Sequence, residues 1–183
     1  AVLYGLISAN VINSYYKGII TFSLINIILA VSLNLIVGFT GQLCLGHAGF
    51  MSIGAYISAL ISQKAGMPFV VSIFIGAIVA CIFAALIGYP TLKLTGDYFA
   101  ITTLAFGEII RIIIMNINVV GGARGFTGIP IKTTFTVAFI FMVISIIVIK
   151  NVINSSQGRA MLSVRENEIA AESMGINALK YKM

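Results

Sequence analysis

The chain has 183 residues, of which 60% are hydrophobic and 9% charged, and its net charge is +6. A soluble domain is about 45–50% apolar and about 25% charged, so this composition excludes a water-soluble globular protein. The charge-free runs 18–63 and 65–92 each exceed the roughly 20 residues that a spanning helix needs. The sequence therefore predicts an all-α, polytopic helical membrane protein, and its lack of short alternating strands argues against an outer-membrane barrel.

Other function classes find little support in the residue types. The basic residues are scattered between apolar runs or gathered near the C-terminus, so the charge does not indicate binding of nucleic acid. Cys44, Cys81 and the single histidine form neither a metal pattern nor a disulfide framework. We expect no metal site, no catalytic residue and no cofactor on this chain. Without a signal peptide or an initial Met, it is interpreted as a fragment of a longer protein.

Residues 1–150 are predicted to form a transmembrane region of five to six helical segments, the first of them incomplete. The predicted segments are 2–16, 19–37, 50–62, about 68–88, 98–118 and 133–149. Lys17-Gly18 is expected to lie at an interface before the second segment, and Pro68 in the first turn of the fourth. Gly88-Tyr89-Pro90 is expected to end that fourth helix.

The stretch GFTGQLCLGHAGF, residues 38–50, is predicted to be a broken-helix element. Its four glycines permit tight bends and close packing, and we expect the bend near the cytoplasmic end of segment 19–37. Gln42 and His47 are substrate-pathway candidates if the bend lies at mid-membrane. Otherwise a hydrogen-bonded packing role is favoured for His47, because nothing nearby completes a metal or catalytic set.

Glu108 and Arg111 are opposite charges near the middle of a predicted span, three residues apart, so they can pair. Helical spacing places Leu104, Met115 and Asn118 on the same face, which must contact protein or water rather than lipid. Two interpretations stay open. The residues line the substrate pathway, or they form a structural ion pair whose side chains reach an interface.

Small residues repeat every four positions in two of the predicted helices. In lipid, such residues allow helix backbones to approach closely. The first set, predicted to be a helix-packing seam, is Gly76, Ala80, Ala84 and Gly88. A second set is Gly54, Ser58 and Ser62.

The glycine-rich loop 119–130 is predicted to be an extracytoplasmic connector. It is no phosphate-binding loop, because it lacks the Gly-Lys-Ser/Thr ending between a strand and a helix. Its distinctive residues are Gly121, Gly122, Arg124, Gly125, Thr127 and Gly128.

Residues 151–183 are polar and are predicted to be cytoplasmic, because basic residues favour that side. The basic residues after Ile149 are Lys150, Arg159, Arg165, Lys180 and Lys182. One amphipathic helix is expected over 158–174, with Leu162, Ile169 and Ile176 on its apolar side and Gly175 as its stop. Because its charges are of both signs, docking on a soluble protein is favoured over binding to the lipid surface.

Four blocks occur in order: NLIVGFTGQLCLGHAGFMSIGAY, LTGDYFAITTLAFGEIIR, GGARGFTGIP and GRAMLSVRENEIAAESMGINALKYK. Together they resemble the permease subunits of bacterial ABC importers for branched-chain amino acids, the LivM/LivH family, and the M-type more than the H-type. The resemblance implies a multi-pass protein of the bacterial inner membrane that pairs with a second permease subunit. It further implies two cytoplasmic ATPases that bind ATP and Mg, an extracytoplasmic substrate-binding protein, and further spans after residue 183. Urea and amide importers have similar permeases.

By this resemblance, the segment EIAAESMG, residues 168–175, is similar to the coupling loop of importers, moved by closure of the ATPases. The implied coupling residues are Arg165, Glu168, Ala170, Ala171, Glu172 and Gly175. Ile169 follows Glu168 where the family pattern has two alanines directly after the glutamate. The alternative function is an ion-coupled secondary transporter of a small polar solute, which also uses broken helices and intramembrane charges but does not account for the cytoplasmic helix.

Overall fold

The computed structural model describes residues 13–94, 96–127, 129 and 133–182, and within these residues the regular structure is helical. Most of the predicted first segment, residues 2–16, lies outside the described residues. The helices are α1 (Ser14–Asn34), α2 (His47–Lys64), α3 (Phe69–Thr91), α4 (Asp97–Asn116), α5 (Phe135–Asn154), α6 (Ser156–Glu166), α7 (Glu168–Ser173) and α8 (Ala178–Lys182). Short 3₁₀ turns occur at Asn118–Val120 and Gly122–Arg124.

Four helical segments among the described residues are long and apolar enough to cross a membrane. They are Tyr15–Phe39, Phe69–Thr91, Asp97–Asn116 and Phe135–Asn154. Their lipid-facing side chains are largely exposed in the isolated chain, as expected where the solvent is a bilayer. The predicted polytopic all-α class is confirmed.

The first described helix begins earlier than predicted. Lys17-Gly18 does not precede it but lies within α1, which starts at Ser14. A single glycine costs a helix only about 1 kcal/mol, and a bilayer demands that every backbone group be hydrogen-bonded within the segment. An isolated Gly18 is therefore too weak a signal to end this helix.

The end of α3 is also placed differently. Gly88-Tyr89-Pro90 was expected to stop the helix, yet α3 runs through Pro90 to Thr91. Proline in the last turn removes a single backbone donor, and the Thr91 hydroxyl lies 3.0 Å from the Ile87 carbonyl and 2.9 Å from that of Gly88. At the other end, Pro68 precedes the helix as its N-cap instead of lying in its first turn.

The membrane helices pack in two groups. In one, α1 lies against α5, where buried Leu24, Phe135 and Ala138 form a small core. In the other, α2 packs against both α3 and α4, with α2 and α3 joined as a hairpin by residues 65–68. The two groups are joined by the chain between α1 and α2, and they also touch where the rings of Phe74 on α3 and Phe141 on α5 lie 6.3 Å apart, centre to centre.

The polar segment after α5 forms three short helices rather than the single predicted helix. Asn167 is extended (φ −158°, ψ 106°) and caps α7, its side chain accepting from the Ala170 amide at 3.0 Å. This break shifts the apolar side by two positions: the buried residues are Val164, Ala171 and Ala178, whereas Ile169 is 79% exposed. The predicted apolar stripe is therefore wrong at Ile169, whereas Ile176 packs, partly buried, against this cluster.

Candidate functional site

The broken-helix element begins with a π turn at Leu35–Phe39, which follows α1 directly. Residues 40–46, called the connector below, then lead to α2, which starts at His47 and not at Phe50 as predicted. At the end of the π turn, three groups donate to the Ile36 carbonyl: the amides of Thr40 and Gln42, at 3.3 and 3.4 Å, and the Thr40 hydroxyl, at 2.5 Å. A π turn inside an α-helix is rare and is frequent at functional sites.

The inner end of the connector lies against the backbone of α4. The Leu45 amide donates to the Thr103 hydroxyl at 3.2 Å, and that hydroxyl donates to the Ala100 carbonyl at 2.9 Å. A Cβ on Gly46 would lie 2.3 Å from the Thr103 carbonyl oxygen, so only glycine fits there. Thr103 is six residues beyond Asp97, the start of α4, which places this contact about 9 Å along the helix. The connector therefore enters the membrane region beside α4.

The outer end of the connector contacts α6. Arg165 Nη1 donates to the Gly38 carbonyl at 2.6 Å, and the Arg165 side chain covers Gly41, where φ is +71°. A polar cleft of about 330 Å³ is bordered by residues 40–43 and 164–168, and by Leu94, Gly96, Asp97, Phe99 and Lys182. We call this region the junction. It brings the end of α1, the α3–α4 link and the polar segment to one side of the molecule.

Gln42 and His47 are placed at opposite ends of this element. Gln42 lines the junction cleft. His47 Nε2 lies 3.0 Å from Ser32 Oγ on α1, and the same hydroxyl lies 2.9 Å from the Leu29 carbonyl. The two candidate residues therefore do not share one site.

Glu108 and Arg111 form a two-pronged ion pair on α4. Arg111 Nε donates to Glu108 Oε2 at 2.9 Å, Nη2 reaches Oε1 at 2.5 Å, and Nη1 lies 3.3 Å from Met115 Sδ. The side chains are 59% (Arg111) and 52% (Glu108) exposed. The pair borders a cleft of about 310 Å³ between α2 and α4, lined by Leu45, Ala48, Gly49, Ser52, Leu104 and Gly107 as well.

The predicted small-residue seam has different surroundings along its length. Gly76 lies against Gly54 on α2, since a Cβ there would be 2.6 Å from the Gly54 carbonyl oxygen, and Ala80 is the next neighbour of Gly54. Ala84 and Gly88 border an open cleft of about 310 Å³, and a Cβ on Gly88 would meet nothing within 4 Å.

The glycine-rich loop lies at the far end of α4 from the junction. Gly121 has φ +85°, and a Cβ there would lie 2.1 Å from the Gly125 carbonyl oxygen. Gly122 and Gly125 also have positive φ, and Arg124 and Thr127 are exposed. Gly128 lies outside the described residues. Phe126 and Ile129 border one shallow depression with α2, so the loop packs against this helix.

The predicted coupling residues divide into inward and outward sets. Ala171 is buried, and Glu168 pairs with Lys182 at 2.6 Å. Ala170 and Glu172 are exposed, and Gly175, with φ +83°, ends α7. Arg165 points to Gly38 rather than away from the protein.

Three contributions to the position of the connector were not predicted from the sequence. They are Ser32, Thr103 and the contact of Arg165 with Gly38. A polar residue inside an apolar span is a usable signal for Ser32 and Thr103, because a hydroxyl in lipid needs a partner. No comparable signal exists for the Arg165 contact, which joins residues far apart in the chain. Among the described residues, no three His, Cys, Asp or Glu side chains are grouped to hold a metal ion.

Comparisons with known proteins agree with these features. Residues 15–183 match the family described as "Branched-chain amino acid transport system / permease component". The chain is 34% identical to the high-affinity branched-chain amino acid transport system permease protein LivM of Escherichia coli K12, over 90% of this chain and 47% of the relative. LivM of Salmonella typhimurium gives the same values. No solved structure matches the chain significantly. The chain thus spans about half the length of the curated relatives it matches.

Proposed function

Because the chain belongs to the family of permease components of branched-chain amino acid transport systems, we propose that it forms part of the membrane pore of an ABC importer for branched-chain or related amino acids. The observation that carries the proposal is the match, which extends from α1 to the end of α8 and so includes both the spans and the junction. The relatives and the four apolar helices support a multi-pass protein of the bacterial inner membrane.

The energy source in this proposal lies on other subunits. Two cytoplasmic ATPases bind ATP and Mg, a second permease subunit completes the pore, and an extracytoplasmic protein delivers the amino acid. The basic residues after Ile149 support a cytoplasmic position for the junction side. The family match favours the importer over an ion-coupled secondary transporter. An importer of urea or amides would have the same architecture and differ only in its substrate.

The contact with the ATPases is proposed to be the outer face of α7. Ile169 is 79% exposed and Met174 is 83% exposed, although both are apolar, while Ala171 on the opposite side is buried against Val164. An exposed apolar pair on a charged cytoplasmic segment suits a groove on a soluble partner. Movement of this face is transmitted through α6 and the hydrogen bond from Arg165 to the Gly38 carbonyl, and so to the end of α1 and the connector.

Uptake of labelled leucine into proteoliposomes tests the transport function. The complete permease, assembled with its partner subunits and binding protein, is expected to accumulate leucine only with ATP inside the cytoplasmic-facing compartment. Accumulation driven by an ion gradient without ATP would contradict the proposal and support the ion-coupled alternative.

Co-purification with the ATPase subunits tests the docking face. Ile169→Asp is expected to weaken co-purification at least tenfold while the permease itself stays folded, because Ile169 makes no buried contact. Gln157→Asp, at an exposed neutral residue of α6 outside this face, is the matched control. If the two variants retain the ATPase equally well, the outer face of α7 is not the docking surface.

A further inference from the structure

The Glu108–Arg111 pair lies near the middle of a membrane-spanning helix and is open on one side. Glu108 is eleven residues beyond the start of α4, about 16 Å along a helix about 30 Å long. More than half of each side chain is exposed. A charge at that depth costs roughly 2.5 kcal/mol or more when it faces hydrocarbon. In the assembled transporter this face therefore contacts water or polar groups, not lipid.

The cleft beside the pair has mixed chemistry. Opposite charges stand at one side, the Ser52 hydroxyl contributes a polar group, and Leu45 and Leu104 supply apolar surface. Beside the cleft, Gly107 allows α2 and α4 to approach closely, since a Cβ on Gly49 would lie 2.9 Å from the Gly107 Cα. The volume of about 310 Å³ is at the lower end of the range for small-ligand sites, roughly 300–1,000 Å³. The space suits a small molecule that is both charged and apolar.

We propose that this cleft is a binding site for the zwitterionic end of an aliphatic amino acid, an inference that rests on the proposed transport function. The Arg111 guanidinium receives the α-carboxylate in a two-pronged contact, and the Glu108 carboxylate receives the α-ammonium. The aliphatic side chain of the ligand lies against Leu45 and Leu104. Binding adds no net charge, because the ligand brings one charge of each sign.

The internal ion pair explains how the site exists without a ligand. Two unpaired charges at mid-membrane would be strongly unfavourable, so each must have a partner at every stage of transport. When the site is empty, Glu108 and Arg111 neutralise each other across one helical turn. When the amino acid enters, each charge exchanges its partner for one on the ligand. The pair is thus the resting form of the site.

The other pathway candidates do not belong to this cleft. Gln42 lines the junction, and His47 is turned toward Ser32 on α1. The cleft and the junction have no lining residue in common, so they are two separate sites.

Direct binding of labelled leucine to the complete permease complex in nanodiscs, without the binding protein, tests the site. The wild-type complex is expected to bind leucine and to bind leucinamide and 4-methylpentanoate at least tenfold more weakly, since each lacks one charged group. Glu108→Gln and Arg111→Gln are expected to weaken leucine binding at least tenfold. Asn116→Ala, a change at another exposed polar residue of α4, is expected to leave it unchanged.

The double variant E108R/R111E tests whether the pair binds the ligand or only stabilises the fold. Because it keeps both charges, it can be measured even if the single variants fail to fold. If the pair binds leucine, the double variant should fold but bind leucine at least tenfold more weakly than the wild type, because the carboxylate and the guanidinium have exchanged positions. Recovery of wild-type affinity would overturn the site. So would a wild-type complex that imports leucine with its binding protein but binds none without it, and in that case the transport function would stand. A wild-type complex that imports no leucine would overturn both.

Discussion

The two ends of the connector are held in different ways. At the inner end, Gly46 lies against a backbone carbonyl of α4, and Leu45 donates a hydrogen bond to Thr103. At the outer end, Gly41 and the Gly38 carbonyl meet one long side chain, Arg165. A backbone in contact with a backbone cannot adjust, whereas an arginine can change rotamer. The connector is therefore fixed to the membrane helices and adjustable toward the polar segment that we propose as the coupling element.

The largest effect is expected from Gly46→Val. The new Cβ would lie 2.3 Å from the Thr103 carbonyl oxygen, and a helix backbone cannot move away without losing its own hydrogen bonds. The decrease in the free energy of unfolding should exceed the roughly 1–3 kcal/mol that ordinary overpacking costs. We expect the monodisperse peak in size-exclusion chromatography of the complete permease to disappear.

Gly18→Val is the matched control, because a Cβ on Gly18 meets nothing within 4 Å. It should leave the chromatographic peak in place. Similar behaviour of the two variants would show that the inner end of the connector is not rigid, and the comparison between the ends would fail.

An intermediate effect is expected from Thr103→Val, which keeps the shape of the side chain but removes the hydroxyl. The Leu45 amide then loses its partner in a partly buried setting, which costs about 1 kcal/mol. Thermal unfolding in detergent should show a lower Tm. Thr102→Val, on another side of the same helix, is the control, and an equal decrease in Tm for both would remove the special role of the Leu45 contact.

The smallest effect on stability is expected from Arg165→Gln. The side chain is 41% exposed, and exposed polar contacts of this kind are worth about 1 kcal/mol or less. The Tm should therefore change little, while leucine imported per ATP hydrolysed falls severalfold because the polar segment no longer holds the end of α1.

Arg159→Gln, also on α6, gives the reference for loss of a positive charge from the polar segment. A large decrease in Tm for the Arg165 variant would mean that the outer end is as rigid as the inner one. Unchanged stoichiometry would mean that Arg165 does not transmit movement.

The long apolar helices were predictable because a bilayer leaves the backbone few choices. A break after α1 was also predictable, since glycines interrupt an otherwise continuous span, although its predicted end at Phe50 was not correct because α2 starts at His47. The π turn at Leu35–Phe39 was not, because its residues are as apolar as those of α1. Its geometry depends on the connector that follows and on the contact of Gly38 with Arg165, which no local pattern contains.

The polar segment shows why a periodic pattern alone misleads. Leu162, Ile169 and Ile176 have the spacing of one helix face, and so do Val164, Ala171 and Ala178. Asn167 decides between them, because its side chain caps α7 and ends the α6 register. Asparagine directly before a glutamate is a helix-start signal, and this signal at Asn167 would have indicated the break. The Glu108–Arg111 pair, by contrast, was readable from three-residue spacing alone, although its cleft was not.

The hairpin of α2 and α3 has a consequence for how the chain assembles in the membrane. Its helices are joined by a short turn, and Gly54 meets Gly76 soon after both have been synthesised. Contacts between residues close in sequence form fastest, because little chain entropy is lost in closing them. The contact of Leu24 with Phe135 must wait until α5 has entered the bilayer. Until then the core of the first group cannot form, so the α2–α3 hairpin is complete while α1 still awaits α5.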